Sequence, residues 1–368
     1  MKRISPILIL VLVSACSGGG DPETSSKAWR VNTTSGAVTA EVAKNVVSWR
    51  DIPYAQPPVG ALRWRAPRPV ESPLGELSVR DNVACLQVAW DGGGIPGDGV
   101  VGAEDCLYLD ITAPVRASAV EPLPVMFWIH GGGNTSGFKG YYDFSTLVES
   151  QQVIVVAINY RLGPFGWFSH PVVQKQAEGL DRSSNFGTLD IIQALSWVQQ
   201  NISEFGGDAK NVTLFGESAG GHNVFALLAS PLSEGLFQKA ISQSGYLKTN
   251  TVEEAINADD DYPRIRRSSS QLFASMVDAG VLADVSTKSA YDVAGNTLME
   301  YYLELNDQGD VPLTTADGIV ISKEGMLAAL ADSSNAKDVP VIAGANRDEV
   351  TLWMSRHRYF VNADYLLT

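Results

Sequence analysis

The stretch from Val212 to Ala229, Val-Thr-Leu-Phe-Gly-Glu-Ser-Ala-Gly-Gly-His-Asn-Val-Phe-Ala-Leu-Leu-Ala, decides how this chain folds. β-Branched and aromatic residues run into Gly216-Glu217-Ser218-Ala219-Gly220, and an almost wholly apolar segment of helical length follows, so the stretch reads as strand, tight turn, helix. The five central letters alone say little. Gly makes up 34 of 368 residues, and with Ser about as common, Gly-x-Ser-x-Gly is expected by chance roughly 0.27 times per chain. The context carries the reading. A nucleophile elbow needs a strand leading in and a buried helix leading out, with the serine on a strained turn and its hydroxyl exposed. Glycines on both sides let strand and helix pass without Cβ collisions. Ser218 therefore reads as a nucleophile, against the alternative of an ordinary glycine-rich turn.

Working outward, Val125 to Ile129 is a continuous apolar run ending in His130-Gly131-Gly132-Gly133, and Val153 to Ile158 is another ending in Asn159-Tyr160-Arg161. Both read as strands buried on two faces. Leu189, Ile192, Leu195, Val198 and Ile202 recur at spacings of three and four, which predicts an amphipathic helix over Thr188 to Ile202, stopping before Gly206-Gly207. Lys239 to Ser244 reads as a strand, Val252 to about Leu305 as a charged helical section, and Val339 to Ala343 as a last strand leading into Gly344-Ala345-Asn346-Arg347-Asp348-Glu349. Towards the amino end, Trp29 to Val79 holds short alternating pieces, and the closely spaced prolines of Ile52 to Gly60 rule out helix there. Glu104 to Ile111 alternates with period two, as a half-buried strand does. Strands alternating with helices imply an α/β fold around a central sheet.

With 45% hydrophobic and 18% charged residues the chain can build a large core. A formal charge of −14 excludes sequence-independent binding to nucleic acid, since most of the surface would repel a phosphate backbone. Lys2 and Arg3, the apolar run Ile7 to Val13, and the small residues before Cys16 read as an export signal over 1–15. Val13-Ser14-Ala15-Cys16 resembles the bacterial lipobox, which would make Cys16 the lipidated first residue of the mature protein, a signal peptide cut nearby being the alternative. The expected location is then a periplasm-facing or surface lipoprotein, on the outer membrane in a Gram-negative cell. Residues 16–28 form a flexible tether, and 29–368 a single domain. With Cys16 assigned to lipid, Cys85 and Cys106 remain as an even pair in an oxidising compartment, expected to form a disulfide rather than stay two unrelated thiols.

These segments together resemble the type-B carboxylesterase and lipase family, α/β-hydrolases that include cholinesterases and bacterial nitrobenzyl esterases. The resemblance rests on Ile52 to Gly60 with Leu62-Arg63-Trp64, Glu104 to Leu109, His130 to Gly133, Asn159 to Phe168, Asn185 to Asp190, Trp197 to Gly207, the elbow, Asp317-Gly318, and Gly344 to Glu349. It implies an α/β-hydrolase fold with a mostly parallel sheet. Asp51 stands where the family usually has Gly, Val350 follows Glu349 where Gly is usual, and Asn223 replaces a common small residue, so the hydrogen bonding behind the serine is expected to differ. The family's choline-binding tryptophan would fall near Pro96, and Trp90 lies outside that position, which argues against a choline ester.

By resemblance, Ser218 attacks an ester carbonyl, the main-chain N–H groups of Gly132, Gly133 and Ala219 form the oxyanion hole, and Glu349 is the acid of the triad. The reaction needs no cofactor or metal; its partner is a small-molecule carboxylic ester, and a membrane enters only through the lipid anchor. The triad order Ser, acid, His places the base after Glu349. Only His357 follows, too near to reach another strand end and set between two arginines; His222 is carried into the helix, His130 belongs to the oxyanion strand, and His170 lacks a supporting motif. The expectation is a serine esterase whose catalytic histidine and last strands are absent from these residues. A silent surface-binding or adhesion protein of the same fold is the alternative.

Overall fold

The computed structural model describes residues 29–349, apart from 81–82, 90–93, 118–119, 176, 258–267, 305–311 and 336. The readings made for Cys16, the signal and tether segments, Trp90 and His357 lie outside the described residues. A central sheet is built from β1 (Glu41–Ala43), β2 (Val46–Pro53), β3 (Tyr108–Pro114), β4 (Leu123–Ile129), β5 (Ile154–Ile158), β6 (Gly207–Glu217), β7 (Lys239–Gln243) and β8 (Val341–Gly344). Their order across the sheet is β8-β7-β6-β4-β5-β3-β2-β1. Pairs from β8 through β5 are parallel, and those from β5 through β1 antiparallel. This is the α/β-hydrolase architecture expected from the sequence.

Alternation along the strands supplies two apolar faces. Phe127, Ile129, Val156, Ile158, Leu214 and Ala240 belong to one large core, together with helix α1 (Phe186–Asn201) and helix α2 (Ala219–Ala229). Their neighbours Trp128, Val155, Ala157 and Phe215 point to the other face and pack with Val148 of the helix Ser145–Gln151. With helices on both sides, β5 is buried at every position. That is why 153–158 shows no alternation in its sequence.

Three expectations change. Strand β3 begins at Tyr108, not Glu104: Cys106 is bonded to Cys85 and Glu104 is turned to the guanidinium of Arg63, 2.6 Å away. These bonds draw the alternating residues out of the sheet. Helix α1 begins two residues earlier than expected, and it is not amphipathic: most of its residues are buried. The amino-terminal segment covers its outer side, with Trp197 Nε1 donating to Ser35 Oγ at 2.9 Å and Asn201 Nδ2 to Thr34 Oγ1 at 3.0 Å. Strand β8 runs from Val341 rather than Val339, and its residues are exposed. Among the described residues no helix is long and apolar enough to cross a membrane.

The parallel register brings the site together. Gly216 in β6 lies beside Ile129 of β4 and Ser242 of β7, and Gln243 lies beside Gly344 of β8. The turns at 130–133, 218, 244 and 345–349 therefore all leave the same carboxyl edge of the sheet, where open α/β sheets place their ligands.

Candidate active site

Ser218 sits between β6 and α2 with φ +56° and ψ −118°, a strained conformation for a residue with a Cβ. Its N–H donates to Gln243 O at 2.8 Å, and its carbonyl accepts the His222 N–H at 2.9 Å, so the surrounding structure holds the turn from both sides. The flanking glycines are required by contact. A Cβ on Gly216 would come within 2.6 Å of the Gly220 carbonyl, and one on Gly220 within 2.0 Å of Ile129 O. The elbow is thus wedged against the end of β4.

The turn after β4 stands directly beside the serine: a Cβ built on Gly131 would lie 3.3 Å from Ser218 Cβ and 3.0 Å from Glu217 Oε2. Gly132 and Gly133 follow with φ +97° and +64°. The carbonyl of Gly132 faces away, accepting from the N–H groups of Thr135 and Ser136 at 3.0 Å each. Among the described residues the N–H groups of Gly132, Gly133 and Ala219 have no protein acceptor. Three unspent main-chain donors thus border the serine, the one on Ala219 opening a helix whose dipole favours negative charge.

Glu349 is half-buried beyond β8, and its Oε2 accepts from Ser244 Oγ at 2.8 Å and from Asn346 N at 3.1 Å. Asp348 instead meets Arg347 at 3.1 Å on the exposed side. Two participants were not singled out from the sequence. Ser244, which fixes the Glu349 carboxylate, has φ +55° and follows directly on a strand end. Glu217 has its carboxyl pKa raised, first by burial and then by the charge of Glu349. Both immediately follow or end strands whose tips form the site, which is the signal that could have found them.

The described histidines are all committed elsewhere. His222 is fully buried; Nδ1 lies 2.8 Å from Tyr246 O and so carries the proton, leaving Nε2 to accept from Thr314 Oγ1 at 2.8 Å. His130 donates from Nδ1 to Gly131 O at 2.8 Å and stacks on Tyr160. Burial lowers the pKa of each to about 4. His170 caps the short helix Pro171–Gln174, accepting from Val172 N. Among the described residues no group of three or more His, Cys, Asp or Glu could hold a metal ion. Cys85 and Cys106 are joined with their Cα atoms 4.9 Å apart.

Residues 27–363 match the model of the carboxylesterase family. The chain belongs to that family. It is 38% identical over 335 residues to a para-nitrobenzyl esterase of Bacillus subtilis, an alignment that covers 88% of this chain and 64% of the relative. With mouse carboxylesterase 1E the identity is 33%, over 94% of this chain and 63% of the relative. A solved structure of a PNB esterase superposes with a TM-score of 0.73 at 33% identity, covering 88% and 64% of the two chains. A Geobacillus stearothermophilus carboxylesterase gives 0.73 at 30%, covering 89% and 63%. The chain therefore spans less than two thirds of the length of these relatives.

Proposed function

We propose that this carboxylesterase-family chain provides the nucleophile, acid and oxyanion donors of a serine esterase acting on small carboxylic esters. The observation that carries the reading is the strained Ser218 bordered by three main-chain N–H groups without protein acceptors. A serine held this way can attack a carbonyl carbon, forming the Oγ–C bond as the carbonyl electrons move onto oxygen. The N–H groups of Gly132, Gly133 and Ala219 stabilise that oxyanion, each by about 3 kcal/mol. Collapse expels the alcohol, which takes a proton from the base, and water then releases the acid from the acyl-serine by the same steps in reverse.

The base that removes the Ser218 proton is a histidine other than His130, His170 and His222, whose ring nitrogens are occupied or buried as described. His357, which follows Glu349 in the chain as the triad order asks of the base, lies outside the described residues. Glu349, steadied by Ser244, would orient that imidazole and stabilise its protonated form. The Cys85–Cys106 bridge supports an exported protein, and we assign Cys16 as its lipidated anchor. Mass analysis of the mature amino terminus, and release into the soluble fraction by Cys16→Ser, test that assignment.

The esterase reading is tested on the whole protein as its gene encodes it, with p-nitrophenyl acetate and a fluorophosphonate probe. A burst of acyl-enzyme and labelling of Ser218, both abolished by Ser218→Ala, are expected. A folded protein with neither would overturn the reading in favour of a silent binding protein.

A further inference from the structure

The turn carrying the oxyanion donors is held from behind by one buried side chain. Asn134 immediately follows Gly133, is fully buried, and has φ +57°, a left-handed conformation that asparagine tolerates better than other side chains. All its outward polar groups but its N–H are engaged. Its main-chain carbonyl accepts from Gly163 N at 2.7 Å, its Nδ2 donates to Pro312 O at 3.1 Å, and its Oδ1 accepts from Asn223 Nδ2 at 3.0 Å. Asn223 is also fully buried, one helical turn beyond Ser218 on α2. The neighbouring His222 reaches the same strap, bonding Thr314 two residues after Pro312.

We propose that Asn223 is a positioning residue, whose hydrogen bond to Asn134 sets the distance between the nucleophile helix and the oxyanion turn; its catalytic consequence rests on the esterase reading above. The elbow and the turn come from different strands, β6 and β4, and they must agree to a fraction of an ångström for three N–H groups to meet one developing oxyanion. Main-chain packing fixes the near side of the turn, where Gly131 has no room for a Cβ against Glu217 and Ser218. The Asn134–Asn223 bond fixes the far side. Both amides are removed from water, so breaking the bond strands buried polar groups and favours a shift of the turn over a silent loss.

The test compares Asn223→Leu, which keeps the branched shape and removes the donor, with Asn134→Gly, which keeps the left-handed backbone and removes the acceptor, and with the double variant, all in the whole protein. Amide exchange is read at Thr135 and Ser136, bonded to Gly132 O, and at Gly163, bonded to Asn134 O. Each single variant should exchange there about tenfold faster, with the β5 amides unchanged. For p-nitrophenyl acetate, kcat should fall about tenfold to a hundredfold with KM within about twofold, and the double variant should be no slower than the worse single. Unchanged exchange, an unchanged kcat in Asn223→Leu, or additive losses in the double variant would overturn the proposal. Faster exchange in the variants of a parent that itself hydrolyses no ester would support the strut and sink the esterase reading instead.

Discussion

Ser244 donates from Oγ to Glu349 at 2.8 Å, while its own N–H is tied to Gly344 O at 2.6 Å, so this one residue holds the acid's loop to the end of β7. A hydroxyl donating to a carboxylate is a charge-assisted bond, stronger than one between neutral groups. Removing it frees the Glu349 side chain to rotate away from the base it is proposed to orient. On the esterase reading, Ser244→Ala should therefore lower kcat of the whole protein about tenfold and leave fluorophosphonate labelling of Ser218 detectable. Glu349→Gln should cost more, since the charge that stabilises a protonated imidazole is lost as well as its fixed position. Equal rates in parent and Ser244→Ala would show that the Asn346 N–H alone suffices to hold the acid.

The elbow is an element whose sequence left little freedom. Gly220→Ala would drive a methyl carbon to 2.0 Å from Ile129 O, a main-chain atom at the end of the central strand β4 that cannot give way cheaply. About 3 kcal/mol of stability should be lost, read by urea unfolding, together with labelling at Ser218. Gly344→Ala, where a Cβ meets nothing within 4 Å, is the matched control and should change stability by less than about 0.5 kcal/mol. This steric demand is why the Gly-x-Ser-x-Gly pattern, once framed by a strand and a helix, was legible from sequence, as were the buried runs 125–129 and 153–158. The period-two pattern at 104–107 misled because a disulfide and the Arg63–Glu104 pair overrode it, and both are contacts between residues distant in sequence. Helix α1 misled differently: its polar outer face is buried by hydrogen bonds to Thr34 and Ser35, which no local pattern announces. Glu349 was placed through resemblance, but its partner Ser244 is adjacent only because β7 and β8 pair.

At the scale of the whole molecule, two neutral histidines buried in the core make stability depend on acid. His130 and His222 each have a pKa near 4, lowered chiefly by burial, whereas an unfolded histidine titrates near 6.5. The sign follows from which state binds the proton first. Between about pH 6.5 and pH 4 the unfolded chain is protonated at these positions and the folded one is not, so stability is highest above that window and is lost as pH falls through it. Each histidine contributes a slope of up to about 1.4 kcal/mol per pH unit there. Carboxylates that also titrate complicate the total, among them Asp110, whose pKa burial raises despite Lys139 at 2.8 Å. They cancel in a difference between variants. His222→Gln can keep bonds to Tyr246 O and Thr314 without taking up a proton, so urea unfolding from pH 7 to 4.5 should show a shallower fall than the parent, the two curves converging as pH drops. Parallel curves would mean that His222 charges equally in both states, and that its bond to Thr314 opens before the rest of the core does.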